Sequence, residues 1–245
     1  MRKLRLFLRD VLVALPLGKR LQTYVWQRRE AKKRARLEMR CARLRRVGPD
    51  LLRKVNKVFQ DAGIAYFVDF GSMLGCVREQ YFIRHDDDID YSIPDQGLSM
   101  RHLLEVMERA GFRYRHHFEY EGKVWEICFL DGEQNFDVFM LEKSGDLELN
   151  CSHYRLYDRA YPSLEAHTCY WSRRRISQTM VMKQFAGVEV PVPENYEEIV
   201  EFNYGKDWRT PIPGKNNDGR YLDGIKGERE GFSYVYHDRS RLLAK

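Results

Sequence analysis

No apolar run in these 245 residues is long enough to cross a bilayer. Leu4 to Leu17 comes nearest, but Arg5, Arg9 and Asp10 interrupt it, and a spanning helix needs roughly 20 apolar residues. No small-residue cleavage site follows it. Lys19 and Arg20 come next, so a signal peptide is not expected either. The five cysteines (Cys41, Cys76, Cys128, Cys151, Cys169) never form a CxxC pair, which signals neither a zinc site nor a disulfide framework. A reducing, cytoplasmic setting is the simplest expectation. No internal repeat is visible. Acidic residues are scarce at the N-terminus: residues 1–58 hold 19 Lys/Arg against 4 Asp/Glu, a net of +15. The other 187 residues hold 23 against 32, a net of −9, which gives the overall +6. The basic character therefore belongs to an arm rather than to the body. This argues against a nucleic-acid binder, whose basic patch should lie on the folded domain.

What is present fits an ordered protein, with 43% hydrophobic and 13% aromatic residues. Leu4, Leu8, Leu12 and Leu15 fall on one helical face with Arg5 and Arg9 beside it. Two readings of that helix stand, an interfacial one on an anionic membrane and one packed on its own domain. Tyr24 to Arg46 reads as a solvated basic helix, broken at Gly48-Pro49-Asp50. Leu51, Leu52, Val55, Val58 and Phe59 then form a core-facing stripe. Ile64–Phe70 and Asp88–Ile93 read as strands, and residues 97–110 as a helix. Hairpins are expected at Phe112–Tyr120/Val124–Leu130 and at Met180–Phe185/Val188–Val192. Strands are also expected at Phe136–Leu141 and Leu147–Tyr157, a helix at Glu194–Tyr204, and loop from Lys206 onward. The sum is α+β, one mixed sheet flanked by helices, with basic helices at the N-terminus.

The chemistry concentrates in Asp86-Asp87-Asp88-Ile89-Asp90. Two unit charges about 5 Å apart repel by roughly 3 kcal/mol at an effective dielectric near 20. On a strand, Asp88 and Asp90 at i and i+2 project side by side, while Ile89, Tyr91 and Ile93 face the other way. That pair suits a hard divalent cation, Mg²⁺ or Mn²⁺. A solvated acidic loop or a calcium-binding turn is the bland alternative. Asp137, inside an apolar strand, is costly to bury unless paired or metal-bound, and it completes a triad if its strand lies beside the other. Upstream, Gly71-Ser72 stands at a strand-to-helix turn. There, backbone N–H groups, the Ser72 hydroxyl and Arg78 one turn on can meet a phosphate.

The stretch Phe67-Val68-Asp69-Phe70-Gly71-Ser72-Met73-Leu74-Gly75-Cys76-Val77-Arg78, running on through Phe82-Ile83-Arg84-His85 to the acids, resembles the LicD family of the nucleotidyltransferase superfamily. That family includes fukutin and fukutin-related protein. Val190-Pro191-Val192-Pro193-Glu194-Asn195-Tyr196, then Tyr204-Gly205-Lys206-Asp207-Trp208 and Pro211, are similar to the family's C-terminal signature. The resemblance covers residues 50–213. It divides the chain into a basic segment at 1–47, a catalytic domain at 48–213 and a tail at 214–245. It implies a nucleotidyltransferase-like sheet and transfer of phosphocholine or an alditol phosphate from a CDP-linked donor (choline, ribitol or glycerol) to a glycan hydroxyl. It also implies a metal on Asp88, Asp90 and Asp137, and donor phosphates on Gly71, Ser72 and Arg78. Asp86 and Asp87 are both candidates for the base. The chain departs from the pattern at Arg84 (usually Pro), His85 (usually Trp), Phe70 (often Gly) and Ser72 (often Thr).

The expected activity is therefore a metal-dependent phosphotransferase of surface-glycan biosynthesis. It is expected to work in the cytoplasm, on the inner membrane face through residues 1–46. Nucleotide transfer to a small acceptor and a basic, membrane-associated adaptor are the rivals. Arg173-Arg174-Arg175 reads as a solvated basic turn, with a phosphate clamp as the alternative. His116-His117 reads as structural. Trp125, Trp171 and Trp208 read as packing, with Trp208 the strongest stacking candidate.

Overall fold

The computed structural model describes residues 16–154, 160–211 and 228–245. The expected N-terminal amphipathic helix, the end of the Leu147–Tyr157 strand and residues 212–227 of the tail lie outside them. Among the described residues, no helix is long and apolar enough to cross a membrane.

The chain begins with α1, Pro16–Asp61, a single helix that runs through Gly48-Pro49-Asp50 without a break. This corrects the expected interruption, and two contacts explain it. Pro49 has no N–H for the Arg45 carbonyl, which would orphan that oxygen; the Tyr81 hydroxyl donates to it instead, at 2.8 Å. A Cβ on Gly48 would stand 2.4 Å from the Phe82 ring, so glycine is what lets Phe82 reach the helix backbone. Leu51, Leu52, Val55 and Phe59 are buried as the stripe requires, Val58 is half-buried, Leu44 joins them from the preceding turns, and Phe59 packs edge-on against Tyr91 at 5.7 Å.

The remaining elements are β1 Phe67–Val68, α2 Phe70–Glu79, β2 Asp90–Ile93, α3 Met100–Arg109, β3 Arg113–Tyr120, β4 Lys123–Asp131, β5 Gln134–Met140 and β6 Glu142–Ser144. They continue with β7 Leu147–Tyr154, β8 Ala166–Arg174, β9 Met180–Phe185, β10 Val188–Pro193, α4 Tyr196–Tyr204 and β11 Glu228–Tyr236. A short 3₁₀ turn, Arg239–Ala244, closes the chain. Nine strands form one sheet in the order β1-β2-β5-β4-β3-β11-β8-β7-β6, and β9 with β10 forms a separate hairpin sheet. The fold is thus mixed α+β. The parallel pair is β2 with β5, and the other ladders described are antiparallel.

Three expectations are corrected. The expected single sheet is two. The tail expected as loop contributes β11, which joins the β3 and β8 ladders in the middle of the large sheet. Cys151 and Cys169, expected to be unpaired, form a disulfide. The β7–β8 ladder sets Cys169 opposite His153 and Cys151 opposite Trp171, a cross-strand proximity that spacing along the chain does not show. With that bond present, the cysteines no longer argue for a reducing compartment. Cys41, Cys76 and Cys128 are free and buried.

Candidate active site

Parallel pairing of β2 with β5 puts Asp90 in register with Asp137, and parallel partners project to the same side. On the opposite side Ile89, Tyr91, Phe136 and Val138 are fully buried in the core. Strand β2 starts at Asp90, so Asp88 stands just before it; even so, carboxylate oxygens of Asp88, Asp90 and Asp137 come within 4.8 Å of one another. Asp86, Asp87 and Asp88 make a second such group. All five acids line one cavity of about 340 Å³, together with Phe70, Gly71, His85, Glu126 and Phe139.

Electrostatics distinguishes the five. Burial, and then the neighbouring carboxylates, push Asp88 and Asp90 well above the usual range. Burial raises Asp137 to about 6, and burial with Asp87 raises Asp86 to about 7. Asp87 is raised less freely, because Arg40 of α1 forms an ion pair with it. Among the described residues no Lys or Arg forms an ion pair with Asp88, Asp90 or Asp137. Oδ1 of Asp137 is buried without a hydrogen-bond partner among the described residues. Uncompensated buried carboxylates are costly, and either protons or an outside cation must offset them.

The loop that carries the acids is held by α1 and by the start of β5. Besides the Arg40–Asp87 pair, the Arg45 guanidinium sits 5.1 Å over the Tyr81 ring, and Gln134 Nε2 donates to the Asp87 carbonyl at 2.8 Å.

Gly71 lies in the first turn of α2 and faces the cavity. A Cβ there would meet Asp86 Oδ2 at 2.7 Å, so glycine at this position makes room for that carboxylate. Phe70 adopts φ +44°, a left-handed conformation that a side chain resists. Its ring is held between Phe139 at 4.7 Å and the Arg174 guanidinium at 4.9 Å. Ser72 is buried and its Oγ accepts the Asp90 N–H at 2.9 Å, so it anchors β2. Arg78 donates to the Trp208 carbonyl at 3.2 Å and to Glu79 at 2.6 Å, joining the C-terminal motif to α2. Neither Ser72 nor Arg78 lines the cavity.

Two features escaped the sequence reading. Arg174 is not in a solvated turn: it is buried on β8 and grips Asp69 with two bonds of 2.8 and 2.7 Å. Asp69 is also the N-cap of α2, and Ser92 donates to it at 2.6 Å. Glu126 is the other. It lies in the apolar run Val124 to Leu130, and burial and Asp137 raise its pKa well above the usual range. Like Asp137, Glu126 is an acid inside an otherwise apolar strand, costly to bury unless paired or metal-bound. Trp208, Trp125 and Trp171 are in packing, with Trp125 edge-on to Trp171 at 4.6 Å. His117 is buried between Tyr114 at 2.7 Å and Glu119 at 2.9 Å, a structural setting.

A family model described as LicD/FKTN/FKRP, nucleotidyltransferase domain, matches residues 63–195, more than half of the chain. The chain belongs to that family. The match takes in α2, the acidic run, Glu126 and Asp137, and ends at the N-cap of α4. Ribitol-5-phosphate transferase FKTN of mouse is 26% identical over 173 residues, covering 69% of this chain and 34% of that protein. The human protein is 24% identical over 170 residues, with the same coverages. An uncharacterized protein of Rickettsia typhi is 29% identical over 114 residues, covering 46% of this chain and 33% of its own length. The chain thus spans about a third of the length of the curated relatives it matches. The crystal structure of ANT(2″)-Ia with adenylyl-2″-tobramycin aligns at a TM-score of 0.40 and 15% identity, over 72% of this chain and 84% of that one. A likeness at that level carries no argument.

Proposed function

We propose that this chain is a metal-dependent transferase that moves a phospho-group, phosphocholine or an alditol phosphate, from a CDP-activated donor to a glycan hydroxyl. The observation that carries this is the convergence of Asp88, Asp90 and Asp137, without a cationic partner among the described residues, beside the N-terminus of α2, in a chain of the LicD/FKTN/FKRP family. The name of the mouse and human relatives, ribitol-5-phosphate transferase, supports the alditol phosphate.

Mg²⁺ or Mn²⁺ would be held by Asp88, Asp90 and Asp137 and would neutralise charge on the donor's diphosphate. The orphaned Asp137 oxygen and the all-oxygen donor set fit such an ion. Gly71 and the first turn of α2 offer backbone N–H groups to the phosphates. Ser72 and Arg78 act behind them, one fixing Asp90 and the other the Trp208 segment. The acceptor hydroxyl attacks the distal phosphorus in line, its P–O bond to CMP breaks, and CMP leaves as the monoester. The hydroxyl proton passes to Asp86, since Asp87 is engaged by Arg40.

The exposed part of α1 supports a membrane-facing role. Residues 23–40 carry seven Lys/Arg against two Glu, with Trp26 62% and Tyr24 52% exposed. Twenty-five residues from Pro16 to Arg40 span about 37 Å at 1.5 Å per residue, an arm suited to an anionic leaflet. Salt-sensitive co-sedimentation with phosphatidylserine vesicles, absent with phosphatidylcholine vesicles, is the expected result.

The central test is CMP release from CDP-ribitol, CDP-glycerol and CDP-choline with Mg²⁺ and a glycan acceptor. Asp90→Asn is expected to lower the rate about 10³-fold, roughly 4 kcal/mol of transition-state stabilisation. Nucleotide incorporated into the acceptor would support the nucleotidyl-transfer rival instead. An unchanged rate in Asp90→Asn would sink the assignment.

A further inference from the structure

The cavity has a second, uncharged part to its lining: Ser152, His153 and Tyr154 on β7, Ser172 on β8 and Asn203 on α4. Two of these residues carry a buried polar atom, His153 Nε2 and Asn203 Nδ2, that has no hydrogen-bond partner among the described residues. Buried polar groups are nearly always satisfied, so orphans on a cavity lining call for a ligand.

His153 is held firmly enough to present that atom. Its ring stacks on Phe118, with centroids 4.5 Å apart and planes within 9°. Its Nδ1 lies 2.8 Å from Ser233 Oγ, on the inserted strand β11. The Ser233 hydroxyl also has the His167 carbonyl within 3.5 Å, and a carbonyl can only accept. Assigning the serine proton to that carbonyl makes Nδ1–H the donor to Ser233 and leaves Nε2 its lone pair. Burial drops the His153 pKa to about 3, so the ring is neutral at physiological pH. Asn203 Nδ2 is a donor. The lining thus offers one acceptor and one donor and no charge. A phosphate, which only accepts, leaves Nε2 unmatched, and a cation meets the Asn203 N–H groups unfavourably. A hydroxyl both donates and accepts.

We propose that His153 and Asn203 bind hydroxyl groups of an uncharged polyol or sugar in the same cavity as the carboxylates. Assigning those hydroxyls to a donor's alditol or to an acceptor glycan rests on the proposed transferase activity; the hydroxyl site itself does not.

The test pairs two measurements on wild type, His153→Phe, His153→Gln and Asn203→Leu. Saturation-transfer NMR reads binding of free ribitol and of a methyl glycoside, with no nucleotide present. Calorimetry with Mg²⁺ reads CMP, CDP-choline and CDP-ribitol. His153→Phe and Asn203→Leu are expected to weaken polyol binding about five- to tenfold while CMP affinity stays unchanged. His153→Gln, which returns a polar atom near the Nε2 position, is expected to recover most of it. Loss confined to free ribitol and CDP-ribitol marks the donor's alditol as the source; loss confined to the methyl glycoside marks the acceptor. If wild type binds polyols but no cytidine nucleotide, the transferase reading fails and the hydroxyl site stands. Nucleotide binding with no polyol signal, or polyol binding equal in wild type and Asn203→Leu, overturns the hydroxyl site. So does a parallel fall in CMP affinity. Asn203 lies on the half-buried face of α4 and keeps the test open if His153→Phe does not fold.

Discussion

Asp69 and Asp90 are neighbours, joined by a backbone bond of 3.0 Å from the Asp69 N–H to the Asp90 carbonyl, yet their carboxylates live in opposite electrostatic worlds. Asp69 is fully buried, but the Arg174 guanidinium, the Ser92 hydroxyl and the Phe70 N–H all donate to it, and its pKa is held below the usual range despite burial. Asp90, with Asp88 and Asp137, is buried among carboxylates and its pKa is pushed up. The first acid is completed by the fold. The second set has no such partner among the described residues, and a charge cluster of that kind on a cavity is where the proposed cation would bind.

Breaking the satisfied side is expected to have the largest effect on stability. Arg174→Ala leaves Asp69 as an uncompensated buried charge and should cost about 3–5 kcal/mol in urea unfolding. Neutralising the unsatisfied side should do the reverse. Asp90→Asn removes like-charge repulsion and should raise the stability of metal-free protein by about 1–3 kcal/mol. A loss of stability in both variants would erase the distinction.

The two sides also differ in their response to pH. Asp86 and Asp137 titrate in the folded chain at about 7 and about 6, above their unfolded value near 3.8. The folded state then binds more protons than the unfolded chain between pH 4 and 7. Their contribution is present at low pH and lost as pH rises through 6 and 7. The slope approaches 1.4 kcal/mol per pH unit for each proton. Asp69, shifted down, contributes above its unfolded value and loses that contribution as pH falls below about 4. Metal-free protein should be most stable near pH 4, and millimolar Mg²⁺ should flatten the decline between pH 4 and 7. Ser72→Ala sharpens the boundary with the smallest effect. It removes the acceptor of the Asp90 N–H and should cost about 1 kcal/mol while lowering activity through Asp90 placement rather than donor contact.

Much of this was legible from local pattern. Alternation in Asp88–Ile93 and in Asn135–Phe139 assigns acids to one face and apolar residues to the other, and the structure aligns those faces. What was not legible depended on distant partners. Arg174 reads as one of three solvated arginines until β8 brings it under Asp69. The Gly48-Pro49 pair reads as a helix break because Tyr81 and Phe82, which make it tolerable, lie more than 30 residues on. Strand β11 follows a segment of loop-like composition, and only its pairing with β3 and β8 reveals it. Local periodicity reports which way a side chain faces, not what stands opposite.

The most direct test of the unsatisfied cluster is calorimetric titration of Mn²⁺ into metal-free protein at pH 6.5, in two buffers of different ionisation enthalpy. One or two ions should bind with proton release, because cation binding displaces protons from the raised carboxylates. Affinity should fall at least tenfold in Asp90→Asn. Equal Mn²⁺ affinity in wild type and Asp90→Asn, with no proton release, would contradict a cation site on these carboxylates.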